Sequence, residues 1–465
     1  MSDPGHSHPA HSHSAHSHRP STPEQAARER SALGRLLLML APLFLATVVG
    51  IIALWPHDVS AHLQSDTAAW NAPGVTIVNG TIESVRNGSC QGTPGSTGTS
   101  TGEKCAVATV RLDQGFDAGR TTTIQFTSAV TSSGIEPGQV VRMYRSPGTQ
   151  AGQNTSGSAQ GTASGTYQYY EFERTTPLIV IAVVFMVVVV AVARRRGLAA
   201  IVSLVLAFVI LSKFMLPALL VGSPPVLVGL VACSAIMFIV IYLTHGLSTR
   251  TTTALLGTLF GLLLSAGLGY LAARWAHLTG VTSEDDFIIT ATAPNLTLGS
   301  VIICGVIVAG LGVLNDVTVT QASSVWELAE SSTSRRELYT RAMRIGRDHI
   351  ASSVYTIAFA TAGAALSTLL LLSIYNMPLG DMLRSETFSE EIVRTLVGSI
   401  GLVLSVPLTT ALGAVLAWQT VHGGGAVRGP ARVAEQPVAR PRHGIDPADP
   451  DPDTDPDAPF RRPRD

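Results

Sequence analysis

Charge is what this sequence has least of. Asp, Glu, Lys and Arg make up only 14% of its 465 residues, against roughly 25% in ordinary water-soluble proteins. The 31 basic and 32 acidic residues nearly cancel, leaving a formal net charge of −1, which excludes a globally basic nucleic-acid binder. Lysine is almost absent: Lys104 and Lys213 are the only two, an arginine bias common in GC-rich genomes that points to a bacterial source. Catalytic signatures are missing too. There is no Walker loop, G-x-S-x-G elbow, H-E-x-x-H, kinase set or Rossmann glycine fingerprint, so no enzyme is expected. What the chain has instead is apolar residues, 46% of the total, and a mean hydropathy of +0.32.

A bilayer core of about 30 Å is crossed by roughly 20 mainly apolar helical residues. Eight candidate runs occur: Leu36 to Trp55, Leu178 to Ala193, Leu198 to Leu211, Val226 to Leu243, Ala254 to Ala273, Leu298 to Leu314, Ile350 to Tyr375 and Thr395 to Trp418. The turn between runs 2 and 3 carries Arg194, Arg195 and Arg196, the 4/5 turn Arg250, and the 6/7 loop Arg335, Arg336, Arg341, Arg344 and Arg347. Only Lys213, Arg274, Arg384 and Arg394 stand on the other side. The excess of Arg predicts that these loops and both termini face the cytoplasm of a plasma membrane. The first run exceeds the roughly 7 to 15 residues of a signal-peptide h-region and is expected to stay as a signal anchor; cleavage near Ser60 and Ala61 is the alternative.

The predicted fold class is therefore a mainly α-helical polytopic membrane protein of about eight transmembrane helices, with a small extracytoplasmic β domain. Five parts follow: a His-rich cytoplasmic tail (1–35), the anchor helix (36–55), the β-rich domain (56–174), a seven-helix membrane domain (175–418) and a Pro/Asp-rich cytoplasmic tail (419–465). Both tails read as disordered, since neither composition packs a core. In the β domain, period-2 alternation marks strands at Val75 to Val85, Ala106 to Leu112, Thr121 to Phe126, Gln139 to Tyr144 and Thr166 to Phe172. Five short strands suggest an OB-like barrel, with a sandwich as the alternative. Cys90 and Cys105 flank a Gly/Ser/Thr-rich loop and are expected to form a disulfide in an oxidising exterior; a redox-active or metal-binding pair is the competing reading. Cys233 and Cys304 lie within spans and read as packing residues.

Metal ligands are concentrated in the first tail, where His6 and His8, His11 and His13, and His16 and His18 form three His-Ser-His units. Such a tract can collect a divalent metal through neutral imidazoles, although a solvated tail with incidental affinity has the same composition. No other cofactor is indicated. In the membrane region, Asp316, Thr320, Ser324 and Glu327 share one helix face, and Arg344, Asp348, Ser352 and Thr356 repeat every fourth residue into the next span. With Arg347 beside them, they form a candidate polar or ion site near the cytoplasmic surface, in which two carboxylates could hold a cation or share a proton. The bland alternative is that Asp348 caps a helix and Asp316 ends a span, pairing with Arg344 or Arg347. Gly257 and Gly261, and Gly310 and Gly312, read first as close helix packing.

Three runs carry a further likeness: Gly257-Thr258-Leu259-Phe260-Gly261; Leu311-Gly312-Val313-Leu314-Asn315-Asp316-Val317 followed by Glu327-Leu328; and Gly346-Arg347-Asp348. In these the chain resembles the YibE/F family of polytopic membrane proteins, from about Thr176 to Trp418 and more loosely over the external domain. The stretch Gly363 to Ser367 departs from the family pattern by ending in Ser rather than Pro. The resemblance implies a multi-span integral membrane protein, often suspected of transport, with no defined chemistry. The expected partners are the lipid bilayer and an unknown small solute or ion. A membrane scaffold or assembly factor whose β domain binds a cell-envelope protein is the second expectation; neither nucleic-acid binding nor an oligomeric state is indicated.

Overall fold

Alternating sequence in the water-exposed region and unbroken apolar sequence elsewhere build two kinds of architecture. The structure, a computed structural model, describes residues 23–62, 75–89, 104–146, 166–375 and 377–422. The His tract, Cys90 and the C-terminal tail lie outside the described residues.

The β domain is a five-stranded antiparallel sheet of β1 (Thr76–Ser89), β2 (Lys104–Leu112), β3 (Thr121–Phe126), β4 (Val140–Ser146) and β5 (Thr166–Phe172), in the order β3-β2-β1-β4-β5. A short helix, α2 (Ser128–Ser132), links β3 to β4. β1 is the hub: its first half pairs with β4 and its second with β2, and an irregularity between Ile82 and Ser84 bends it between the two. Gly80 sits where both neighbours meet. A Cβ there would stand 2.6 Å from Met143 and 2.8 Å from the Arg111 carbonyl oxygen, so the close approach of strands requires glycine. The sheet curls until its edge strands touch, with Phe126 of β3 stacked on Phe172 of β5 and edge-on to Tyr169.

Inside this domain Asp117 is 1% exposed. It accepts a 2.7 Å hydrogen bond from the Tyr167 hydroxyl and lies 3.3 Å from Arg120 and 3.7 Å from Arg145, so a loop carboxylate ties together β4, β5 and the β2–β3 turn. Burial, and then the Asp117 carboxylate, push the Tyr167 phenol above its ordinary range. Cys105, buried at the start of β2, is disulfide-bonded.

Among the described residues six helices are long and apolar enough to cross a membrane: Ala26–Ala53, Thr175–Leu220, Pro225–His245, Thr249–Trp275, Leu298–Ala329 and Glu386–His422. They fall in α1 (Pro23–Ala53), α3 (Thr175–Ile210) with its π-helical continuation Leu211–Met215 and α4 (Leu216–Leu220), α5 (Pro225–His245), α6 (Thr249–Trp275), α8 (Leu298–Ala329) and α12 (Glu386–His422). The second of these is not one rod. Arg194 takes φ 52° and ψ −127°, and a Cβ on Gly197 would collide with the carbonyl oxygen of Val189. Eight residues of continuous helix would place those positions about 12 Å apart, so the chain folds back at Arg194.

The seventh apolar run of the sequence is divided differently from expectation. It lies on α9 (Arg335–Ala364) and α10 (Leu366–Ile374), which meet at Ala365, and α9 is polar along much of its length. Two short helices, α7 (Glu284–Thr292) and α11 (Leu379–Arg384), occupy the connections at the opposite end of the bundle. α6, α8 and α12 form the centre of the bundle, joined there by α5 and Leu40 of α1.

Candidate functional site

Small residues bring α6 and α12 together. Gly257, Gly261 and Ser265 recur every four residues on α6, and Gly401, Ser405 and Thr409 do so on α12. A Cβ on Gly257 would collide with the Thr409 hydroxyl, one on Gly401 with the Ser265 hydroxyl, and one on Gly261 would come 3.2 Å from Ser405. The helices are thus antiparallel, pairing small residue against small residue over two turns, as membrane helices do when no lipid separates them. Gly310 of α8 is buried beside Leu314 and Ser265, whereas Gly312 is exposed with nothing near its Cβ position.

This close packing exposes α8 to a polar interior. Its inward stripe runs through Leu314, Thr318, Gln321 and Val325. The Thr318 and Thr258 hydroxyls are 2.6 Å apart across α8 and α6. The Gln321 amide nitrogen donates to the Ala342 carbonyl of α9 at 3.0 Å and to the Thr410 hydroxyl of α12 at 2.7 Å. Gly346 leaves room for this amide: a Cβ there would stand 3.0 Å from the Gln321 oxygen. Three polar atoms of this region, Gln321 Oε1, Ser265 Oγ and Asn315 Oδ1, are buried without a hydrogen-bond partner. In an apolar medium an unpaired acceptor costs about 1–3 kcal/mol.

The residues singled out from sequence stand on the other side of these helices. Asp316, Glu327, Arg347, Asp348 and Ser352 are exposed and Thr320 is half-buried. Neither the Asp316 nor the Asp348 carboxylate has a hydrogen bond or ion pair among the described residues, and the structure does not join them. The Thr320 hydroxyl donates to the Asp316 carbonyl at 2.7 Å, and Ser324 and Thr356 likewise bond the carbonyl four residues back, which occupies their protons within their own helices. The two carboxylates do lie near one level. From the Gln321–Gly346 contact, Asp348 is two residues further along α9 and Asp316 five residues back along antiparallel α8, about 3 and 7.5 Å in the same direction. Glu327 lies within electrostatic reach of Arg250.

Sequence reasoning missed Gln321, Asn315, Thr258, Ser265 and Thr410. The available signal was the polar run Thr318 to Ser324, whose members face all sides of one helix. Cys304 donates to the Pro225 carbonyl at 3.0 Å, and Cys233 is buried beside it. Among the described residues no three His, Cys, Asp or Glu side chains converge.

In comparison with known proteins, a family profile described as YibE/F-like protein matches residues 181–419, more than half of the chain. No curated protein and no solved structure matches.

Proposed function

Because the chain belongs to the YibE/F-like protein family, we propose that it is a permease-like membrane protein that moves a small solute or ion rather than transforming one. The observation that carries this reading is Gln321, 1% exposed at the junction of α8, α9 and α12 with its carbonyl oxygen unpaired. A buried polar group without a partner calls for an explanation, and a path for a polar solute or ion is one. Asp316 and Asp348, at nearly the same level on the outer faces of α8 and α9, supply the charge that a cation or proton would use.

Eight crossings accommodate the chain when the fold-back at Arg194 separates two arms and α9 with α10 supplies one more. The Arg-rich turns then face the cytoplasm with both termini. Strand order β3-β2-β1-β4-β5, touching edges and a helix between β3 and β4 favour an OB-like domain outside the cell. The N-terminal His tract would collect divalent metal. A scaffolding role for the β domain draws on Phe116, 85% exposed on the β2–β3 turn with the Arg145 guanidinium 5.6 Å from its ring centroid; such an exposed aromatic suits contact with an envelope protein.

The test is complementation of a strain lacking the gene. Asp316→Asn and Asp348→Asn should each abolish function with normal amounts of monodisperse protein, since Asn keeps size and hydrogen bonding while removing charge. Full complementation by both variants, and by Gln321→Leu, would transfer preference to the scaffold. Labelling from outside should modify a Cys placed at Ser283 and spare one at Ser334; the reverse pattern refutes the orientation.

A further inference from the structure

A second polar site lies at the end of the bundle where the Arg-bearing turns collect. A cavity of about 550 Å³ is bounded there by α1, the fold-back of α3, the α5–α6 connection and α8. Three guanidinium-bearing residues line it, Arg30, Arg196 and Arg250, each from a different helix, together with His245. None of the three arginines forms an ion pair among the described residues, whereas Arg341 on α9 pairs with Glu337 at 3.7 Å. Glu29 is the single carboxylate in the lining, and Glu327 faces Arg250 from α8, so positive charge remains in excess.

The wall of the cavity adds directed donors. Ser248 caps the 27-residue helix α6, its side chain accepting from the Thr251 N–H at 3.1 Å. The N–H groups of Thr249 and Arg250 have no acceptor among the described residues. They stand at the positive end of a long helix dipole, beside the Arg250 side chain. Guanidinium forks match the paired oxygens of a phosphate better than a single point charge does, and backbone N–H groups at a helix start complete such a site.

We propose that this cavity binds a phosphate-bearing anion, held by Arg196 and Arg250 with Arg30 and His245 at its rim. The shared chemistry fits a free phosphate compound or the headgroup of an anionic phospholipid, because the cavity lies where a headgroup layer would meet the helix ends. The site stands whether or not the protein moves a solute.

The experiment uses full-length protein. In an uncharged detergent, binding of radiolabelled inorganic phosphate is measured for the parent, Arg196→Gln, the Arg196→Gln/Arg250→Gln pair and Arg111→Gln in the β domain as a control. In parallel, phosphatidylcholine nanodiscs with and without phosphatidylglycerol are assayed for retained phosphatidylglycerol by native mass spectrometry. Phosphate binding weakened roughly tenfold or more by the double variant and unchanged by Arg111→Gln supports the site with a soluble ligand. No phosphate binding, but phosphatidylglycerol retained by the parent and lost in the variants, supports it with a lipid headgroup. Ligand bound equally by parent and variants, or by neither in both assays, overturns it. Arg196 is exposed, so its single replacement keeps the test readable if the double variant misfolds. Because the readout is binding, its failure leaves the permease reading intact, and failed complementation leaves this site intact.

Discussion

Asp117 in the β domain and Gln321 in the helical bundle are each 1% exposed, and the two regions treat them in opposite ways. Around Asp117, a tyrosine hydroxyl and two arginines answer the carboxylate. Around Gln321, two acceptors answer the amide nitrogen while its oxygen is left without a donor. A buried charge needs partners, since an uncompensated one costs several kcal/mol, and Asp117 has them even though the Arg145 Nε, 3.7 Å away, makes no hydrogen bond of its own. A neutral amide oxygen left unpaired costs less, about 1–3 kcal/mol. The paired carboxylate acts as a staple, and the unpaired amide oxygen is the feature that the proposed permease reading draws on.

The largest effect should come from breaking the staple. Asp117→Ala removes the carboxylate and strands Arg145 and Tyr167, and should lower the unfolding free energy of the β domain by about 3–5 kcal/mol. Chemical denaturation followed by limited proteolysis between β3 and β5 reads this directly; a loss under ~1 kcal/mol would remove the contrast between the two regions.

Next comes Gly257→Leu, which drives a side chain into Thr409 and should cost about 1–3 kcal/mol by overpacking. Thermal unfolding in detergent should fall while β-domain proteolysis stays unchanged. Ala at the same position should fall in between.

Gln321→Leu sharpens the comparison from the other side. It gives up two hydrogen bonds but also the unpaired oxygen, so stability should move by about 1 kcal/mol or less, while function is lost. Destabilisation as large as that of Asp117→Ala would make Gln321 a staple as well.

The smallest effect concerns pH. Because burial and Asp117 hold the Tyr167 phenol above its ordinary range, its contribution is complete below an unfolded pKa of about 10 and is lost as pH rises through the higher folded value. Tyr167→Phe should cost about 1 kcal/mol at neutral pH and flatten the stability profile in that alkaline window. An unchanged profile would detach Tyr167 from the pair.

The β domain was legible almost strand by strand. β3 at Thr121–Phe126 and β5 at Thr166–Phe172 stand where alternation places them, and β1 runs four residues beyond the expected Val85. The alternation carries because one face of each strand meets water, as the pattern of β4 records in its buried Val141 and Met143. The reversal between runs 2 and 3 was legible as well, since three consecutive arginines interrupt an apolar stretch there. The exposed stripe through Asp316 was legible and the buried one through Leu314 was not: Asp316 and Leu314 are two residues apart, about 200° around a helix.

What the sequence determined alone is the apolar runs, the strands and the periodicity of the polar residues on α8 and α9. These follow from transfer free energy and from the fixed repeats of helix and strand. Which stripe of α8 faces inward was decided only by tertiary structure. Lipid tails are as apolar as a protein core, so a membrane helix is hydrophobic all round and its composition does not say which side meets protein. Close packing settled it, through Gly257, Gly261 and Gly401 bringing α6 onto α12 and Gly346 admitting the Gln321 side chain.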